Sequence, residues 1–488
     1  MGASESQLTF GWGALTVIAL YLSSTIGVGW LARRSSRGHS LSDHYLAGRS
    51  LGFLALFLTL YSTQYSGNTL FGYTGISYRI GFSWTASILF MFSVITGYLL
   101  FAPRLVALAR KKKFITPGDY IAHRFGSPRL TLLSTLLMIY ALANYTLAQL
   151  RAIGAAVEGL TNGAVPSAYG IITLAIIMVV YETLGGMRSV AWTDMIQGIL
   201  LLSGFLMLLF MVPGLAGGLP AVVEHLSRID PAKVEVPTLE GCMNWISYVF
   251  LFGFGAAIYP QAIQRLYASR STRVLKRSLA LMTIMPFTTA LIAMICGVTG
   301  SVVLPDLALG ETDQVLARIC SLIMNQSTEG YWLVVLIFAA ALAALMSTAD
   351  SALLSISSMV TKDIYQVYFR PQSNEAELTS VGKWCSWIIV TLLVIVAIGT
   401  ENTLIRLLEL KFEVLIQIAP CFFLGLYWKR LRGETVLTGM VAGLLVGLGL
   451  TWLGYPRLWG FHAGVVGLLV NFACCLVGVL RSPSQMKT

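Results

Sequence analysis

At the centre of an apolar segment stand nine residues that are mostly polar or small: Tyr61-Ser62-Thr63-Gln64-Tyr65-Ser66-Gly67-Asn68-Thr69. The surrounding segment, 51–78, is long enough to cross a lipid bilayer. Polar groups at that depth are costly unless they line a cavity, because lipid offers them no hydrogen bonds. We therefore predict a membrane helix that loses its regular structure at this point.

A second segment carries a matching irregularity: Gly253-Phe254-Gly255-Ala256-Ala257-Ile258-Tyr259-Pro260-Gln261. Pro260 lacks an N–H and disfavours a helical residue before it, so this helix should also break. Glycine and proline are frequent in membrane helices, and small hydroxyl residues can simply pack helices together. However, transporters place binding sites where corresponding helices of two inverted repeats are interrupted, and the matched positions favour that interpretation.

The composition agrees with a membrane protein. Hydrophobic residues make up 56% of the 488 residues and charged residues only 11%, more apolar surface than a soluble core buries. Thirteen spans are predicted, near 8–32, 51–78, 81–103, 130–150, 161–181, 195–223, 241–264, 278–305, 330–361, 384–400, 403–428, 435–456 and 458–480. The eleventh is the least regular, because Arg406, Glu409, Lys411 and Glu413 crowd its first half.

The interrupted segments are the second and the seventh, so spans 2–6 and 7–11 form two five-helix units, and an odd number of spans inverts one relative to the other. We expect one all-α membrane domain over 1–488. Its parts are an extra first helix and cytoplasmic loop (1–49), repeat 1 (50–223), repeat 2 (241–428), and two C-terminal helices with a short tail (434–488).

Charge distribution predicts the orientation. Most of the 33 lysines and arginines fall in loops on one side, which places that side and the C-terminus in the cytoplasm and the N-terminus outside. The protein should be a multi-pass protein of the plasma (inner) membrane. The net charge of +11 is explained by this topology and does not require a nucleic-acid partner.

Catalytic patterns are not found in the sequence. The seven cysteines have no metal-type or redox-type spacing, and the five histidines fall in predicted loops or at helix ends. No Walker-type glycine loop is present. We therefore expect no enzyme and no cofactor, with the lipid bilayer, a small solute and an ion as partners; the oligomeric state is not predicted.

The ninth span carries a face of small and hydroxyl residues. Ala344, Ser347, Thr348, Ser351 and Ser355 recur at helical spacing. Hard cations prefer oxygen ligands, which hydroxyls and the carbonyls of a broken helix provide. Back-bonding to carbonyls of the same helix is the alternative. Asp350 and Asp194 favour an ion pathway, although Asp194 could instead cap the sixth span.

Several motifs run in order along the chain. They are Tyr45–Arg49, Thr116–Tyr120 with Arg124–Phe125, Gly185–Gln197, Ala344–Ser351 with Thr361–Tyr365, and Leu424–Trp428. Together they resemble the sodium:solute symporter family, which includes proline and pantothenate permeases and sodium-coupled sugar and sialic acid carriers. The resemblance implies a five-plus-five inverted-repeat (LeuT-like) core with one helix before it and two after it, in agreement with the thirteen predicted spans.

The resemblance also implies where the coupling ion, sodium, is held. Its ligands would be the carbonyls of Ser62, Tyr65 and Ala344 and the hydroxyls of Ser347 and Thr348. Asp194 matches an aspartate on the sodium route to the cytoplasm. Asp350 and Ser351 occupy positions where some members hold a second sodium ion; no metal other than sodium is implied.

In the family, the solute lies between the two broken helices. The resemblance implies that residues at or next to the family's solute-binding positions, or in the wall of the solute site, contact the solute here. They are Gln64, Ser66, Asn68, Tyr140, Asn144, Tyr248, Tyr259, Gln261 and Gln417. Proline permeases carry an aspartate where this chain has Gln64, so a proline-type site does not transfer directly.

These observations predict a sodium-coupled symporter that imports an amino acid, a pantothenate-like compound or another carboxylate by alternating access. Two alternatives remain: proton coupling through Asp350 or Asp194, and a transporter-like sensor of solute. A passive channel is disfavoured, because interrupted helices suit an occluded site at mid-membrane.

Overall fold

The computed structural model describes residues 10–35, 40–160, 163, 165–399 and 411–481. Nearly all of them are helical. The β-sheet in the described part of the chain is a short antiparallel hairpin, in which β1 Arg457–Leu458 pairs with β2 Phe461–His462.

The helices of the first half are α1 Trp12–Arg34, α2 Leu41–Leu46, α3 Phe53–Gln64, α4 Tyr73–Ile80, α5 Ala86–Lys112, α6 Pro117–Phe125, α7 Pro128–Leu160, α8 Ser167–Met211 and α9 Leu219–Ile229. Those of the second half are α10 Leu239–Gly255, α11 Pro260–Ala268, α12 Thr272–Met282, α13 Met285–Thr288, α14 Ala290–Val303, α15 Val315–Met324, α16 Thr328–Met359, α17 Glu375–Gly399, α18 Ala419–Phe423, α19 Gly433–Trp452 and α20 Ala463–Arg481.

Ten helical segments among the described residues are long and apolar enough to cross a membrane. The predicted spans 161–181 and 195–223 fall largely within α8, which consists of two helices that meet at a kink at Gly186, where φ is 55° and ψ is −144°. The eleventh predicted span begins within 400–410, outside the described residues. The all-helical membrane fold is therefore confirmed, and the count of thirteen and the repeat boundaries remain predictions.

Both predicted interruptions are confirmed. Helix α3 ends at Gln64, Tyr65 is extended with φ −103° and ψ 98°, and a π-helical turn, Asn68–Gly72, leads into α4. Helix α10 ends at Gly255, a 3-10 turn follows, and Tyr259 with φ −51° and ψ 126° leads into α11. Each of these two interrupted segments is thus built from two half-helices, α3 with α4 and α10 with α11.

Two close helix contacts relate the two units. A Cβ atom on Gly97 of α5 would lie 2.6 Å from the Gly253 carbonyl oxygen of α10. A Cβ atom on Gly297 of α14 would overlap the Thr74 carbonyl oxygen of α4. Each broken helix therefore packs closely, at a glycine, against the next helix of the other unit, and the two contacts are reciprocal.

Hydrogen bonds repeat this reciprocal pattern. Ser93 Oγ of α5 donates to the Val249 carbonyl of α10 at 2.9 Å. Ser77 Oγ of α4 donates to the Met294 carbonyl of α14 at 2.8 Å. Helix α5 is therefore joined to α10, and helix α4 to α14, by a close glycine contact together with a serine hydrogen bond.

Arg265 lies elsewhere than the sequence indicated. The seventh predicted span ends at 264, which would place Arg265 in the loop after it, but α11 continues to Ala268 and the Arg265 side chain is fully buried. The short helix after Pro260 thus carries a cation into the protein interior.

Candidate functional site

The predicted sodium ligands meet where α16 passes the end of α3. The Ser347 hydroxyl donates to the Ser62 carbonyl at 3.0 Å, and both residues are fully buried. The Thr348 hydroxyl donates to the Ala344 carbonyl of its own helix at 2.9 Å. The helical alternative therefore describes the Thr348 bond, whereas Ser347 makes a contact between the two helices.

This arrangement suits a hard cation. Tyr65 leaves the helix, so the carbonyls at the end of α3 lose the amides of a following turn. Hydroxyl and carbonyl oxygens that share a proton in the Ser347–Ser62 bond can both turn toward a cation placed between them. Ser62, Ala344, Ser347 and Thr348 are brought together in this way.

Asp194 lies in a buried charge network. Its Oδ2 accepts from Arg265 Nη2 at 2.8 Å, and both side chains are fully buried. Thr59 of α3 donates to the same carboxylate and accepts from Arg265 Nε at 2.7 Å. Because Asp194 lies in the middle of α8, the alternative that it caps a helix at the membrane surface is wrong.

Asp350 lies beside this network but has different partners. Tyr181 of α8 donates to its carboxylate, and Ser351 Oγ donates to Asp350 Oδ1 at 3.1 Å. Ser351 also accepts from Arg265, which links the two aspartates through one hydroxyl. Asp350 and Ser351 are both buried beneath the Ser347 turn of α16.

Polar groups of the predicted solute site surround the two breaks. The Tyr98 hydroxyl donates to Gln64 Oε1 at 3.1 Å, and Ser66 is buried. Gln261, directly after Pro260, is fully buried, and neither of its amide atoms has a hydrogen-bond partner. The side chain of Asn68 lies outside the described part of the structure.

Helix α7 faces the breaks with residues other than those predicted. Tyr140 is 45% exposed, and the Asn144 amide donates to the Tyr140 carbonyl at 2.9 Å. Tyr145 and Gln149 are buried on the inner face, and both amide atoms of Gln149 lack a partner. Tyr140 and Asn144 therefore do not line this site, and Tyr145 and Gln149 take their place.

Gln417 lies in a turn that packs against the second break, but its hydrogen bonds go to a C-terminal helix. Its amide donates to the Gly464 carbonyl at 2.9 Å, and its own carbonyl accepts from Asn471 at 2.8 Å, both on α20. Its bonds hold the C-terminal helices to the core.

Tyr248 lies two turns before the α10 break, in an aromatic layer with Trp84 and His462. Arg457 donates to its hydroxyl at 3.2 Å. Tyr248 therefore covers one end of the site, whereas Tyr259 lies at the break itself.

Sequence reasoning missed Arg265, Tyr145 and Gln149. The signal for Arg265 was its position one turn after Gln261, on the half-helix that Pro260 begins. Tyr145 and Gln149 are four residues apart and share a helical face, but Tyr140 and Asn144 have the same spacing. Only packing distinguishes the two faces.

Comparisons with known proteins identify the family of the chain. The family model described as the sodium:solute symporter family matches residues 44–443. A sodium/pantothenate symporter of Haemophilus influenzae is 27% identical, with 96% of each chain covered. A sodium/proline symporter of Escherichia coli is 26% identical, with 97% of this chain and 95% of the relative covered.

Solved structures show the same fold. A sodium-coupled sialic acid symporter in a substrate-bound outward-open state superposes with a TM-score of 0.81 at 20% identity, covering 98% of this chain and 100% of the other. A nucleobase-cation-symport-1 family transporter gives a TM-score of 0.59 at 13% identity, covering 90% and 95%. With the family match over most of its length, the chain belongs to the sodium:solute symporter family, and it is a membrane transporter rather than an enzyme.

Proposed function

We propose that the protein imports a small organic solute, an amino acid, a pantothenate-like compound or another carboxylate, together with sodium. The observation that carries the proposal is the contact of Ser347 with the Ser62 carbonyl at the break in α3–α4. The side-chain amides of Gln149, which lies against Gly67 in the first break, and of Gln261, which follows Pro260 in the second break, have no hydrogen-bond partner. An ion site and a polar solute site thus share one interrupted region. The relatives, a sodium/pantothenate symporter and a sodium/proline symporter, support the pairing of an ion with a solute.

Alternating access follows from the half-helices. Sodium joining Ser62 to Ser347 ties α3 to α16 and stabilises the outward-open state that accepts solute; binding of both then permits the inward movement. The driving energy is the sodium gradient and the membrane potential, about 2.3 kcal/mol per charge per 100 mV. The N-terminus lies outside and the C-terminus in the cytoplasm of a plasma-membrane protein in this scheme.

Release to the cytoplasm requires an opening between α3 and α11. The Leu51 N–H donates to the Ala268 carbonyl at 3.1 Å, and the Arg270 N–H donates to the Leu51 carbonyl at 2.9 Å. These bonds join the start of one broken helix to the end of the other. Solute and sodium leave when this backbone pairing separates.

Proton coupling is the second candidate, and one observation favours it. The hydrogen-bond partners of Asp350 among the described residues are the hydroxyls of Tyr181 and Ser351, which a protonated carboxyl tolerates as well as an ionised one. In that case solute binding would respond to pH and not to sodium.

Thermal stabilisation of the purified protein tests the proposal. Amino acids, vitamins, sugars and carboxylates are compared in sodium chloride and in choline chloride. We expect at least one solute to stabilise the protein only in sodium. Stabilisation that is equal in choline and varies with pH contradicts sodium coupling, and binding without uptake by proteoliposomes indicates a sensor.

A further inference from the structure

Lys411 is an ionisable residue buried at membrane depth. Its side chain is only 2% exposed, and it lies in helical backbone that leads to the 3-10 turn Ile416–Ile418. None of the ion pairs among the described residues involves it. An ammonium group in such a place is costly and marks a functional position more often than a structural one.

Three aromatic rings surround this ammonium, and we refer to Tyr145, Tyr259 and Phe412 as the aromatic cage. Lys411 Nζ lies 3.4 Å from the ring centroid of Tyr145, 5.5 Å from that of Tyr259 and 4.9 Å from that of Phe412. The two tyrosine rings are stacked, with centroids 5.4 Å apart and planes 5° apart. The negative faces of these rings stabilise a cation in the absence of water.

The aromatic cage lies at the second break and on a helix that reaches the first. Tyr259 is at the end of the turn that follows α10, and Phe412 lies against Gly255, where α10 ends. Tyr145 lies on α7, which packs against α16, the helix that carries the proposed hydroxyl ligands of sodium. One turn further along α7, Gln149 lies against Gly67 in the first break. Helix α7 therefore connects the aromatic cage with the first break and with the proposed sodium site.

We propose that Lys411 binds the carboxylate of the transported solute, and thus selects anionic or zwitterionic carboxylates over neutral solutes such as sugars. This inference rests on the proposed function, since it assigns the solute to the region between the breaks. An ammonium has three hydrogen-bond donors, and ring faces balance its charge without accepting those bonds as a carboxylate does. The unpartnered amides of Gln149 and Gln261 are then available for the rest of the solute.

The test compares probes that differ in their carboxylate. Pantothenate is paired with pantothenyl alcohol, N-acetylneuraminate with its methyl ester, and proline with prolinol; glucose serves as a neutral solute. Thermal stabilisation of the full-length protein is measured in sodium sulfate. We expect at least one carboxylate to bind roughly ten- to a hundredfold more tightly than its partner, as the loss of one charge-assisted hydrogen bond implies.

Variants locate the effect. Lys411→Gln should abolish the preference for the carboxylate, and Lys411→Arg should retain most of it. Lys276→Met, an exposed lysine of α12, is the control and should behave as wild type. If Lys411→Gln does not fold, the probe pairs are compared on the wild type and on Lys411→Arg, and both should prefer the carboxylate.

The proposal is overturned by equal binding of both members of every pair, by an unchanged preference in Lys411→Gln, or by binding of glucose alone. Stabilisation by chloride that Lys411→Gln removes, with no response to any carboxylate, would instead assign the position to an inorganic anion. The same measurement in choline sulfate, without sodium, separates this inference from the proposed function. If carboxylate binding requires Lys411 but not sodium, the role of Lys411 is supported and sodium coupling is contradicted. If binding requires sodium but not Lys411, sodium coupling is supported and the role of Lys411 is contradicted.

Discussion

At the scale of single residues, two adjacent hydroxyls on α16 differ in what they contact. Ser347 reaches across to Ser62, and Thr348 bonds back to Ala344. Residue spacing predicted that both lie on one face, because the period of a helix fixes that relation. It could not predict which hydroxyl meets α3, since that depends on how two helices distant in sequence pack.

The first prediction concerns Ser347. Ser347→Ala removes one oxygen from the proposed ion site and leaves little space, so the sodium concentration for half-maximal uptake should rise about tenfold, the effect of losing one interaction of about 1.4 kcal/mol. Ser357→Ala, on the same helix with its hydroxyl bonded to the Leu354 carbonyl, is the matched control. Sodium dependence that is identical in both variants and the wild type would remove Ser347 from the site.

The second prediction concerns the Asp194–Arg265 pair. Removing one partner of a fully buried ion pair leaves the other charge uncompensated and costs about 3–5 kcal/mol. Asp194→Asn or Arg265→Gln should therefore lower the melting temperature in detergent markedly. The double variant should be more stable than the sum of the two losses predicts. Strictly additive losses would show that the pair is not coupled.

The surroundings of two charged residues, Arg265 and Lys411, could not be predicted from the sequence, because their partners are distant along the chain. Arg265 and Asp194 are 71 residues apart, and a charge just beyond an apolar run resembles the cytoplasmic end of a span. Lys411 was noticed only as an irregularity of the eleventh span. Its role depends on Tyr145 and Tyr259, which come from two other helices.

At the scale of elements, the breaks were predictable because their causes are local. Pro260 forces the chain out of the helix, and the polar run around Tyr65 is too costly for a lipid-facing helix. The junction within α8 was less predictable: only the φ of 55° at Gly186 shows that two helices meet there at a kink, without a loop between them.

The third prediction tests the reciprocal contacts of the two units. Gly97→Ala and Gly297→Ala place a methyl group against the backbone of α10 and of α4, and overpacking of this kind costs about 1–3 kcal/mol. Both variants should lower the melting temperature and the uptake rate. Gly449→Ala of α19, where a Cβ meets no neighbour, is the control and should be neutral or slightly stabilising. Wild-type behaviour of both test variants would contradict the proposed packing of the two units.

At the scale of the whole molecule, the all-helical fold followed from composition and from the spacing of apolar segments. The orientation is a separate prediction from the distribution of lysine and arginine. Cysteines introduced into 214–240 or 306–329, in a cysteine-free background, should react with an impermeant thiol reagent from outside intact cells. Cysteines near Lys112 or Arg273 should react only after the membrane is opened. Labelling of the Lys112 region from outside would reverse the orientation.

The whole scheme depends on coupling of solute movement to sodium, which joins the Ser62–Ser347 contact to the half-helices around it. Uptake into proteoliposomes under separately imposed sodium and pH gradients tests this most directly, with the solute that gives the largest thermal stabilisation. We predict concentrative uptake driven by an inward sodium gradient at equal pH, and none when choline replaces sodium. Uptake that persists in choline and follows an imposed proton gradient would contradict sodium coupling and assign the coupling to Asp350 or Asp194.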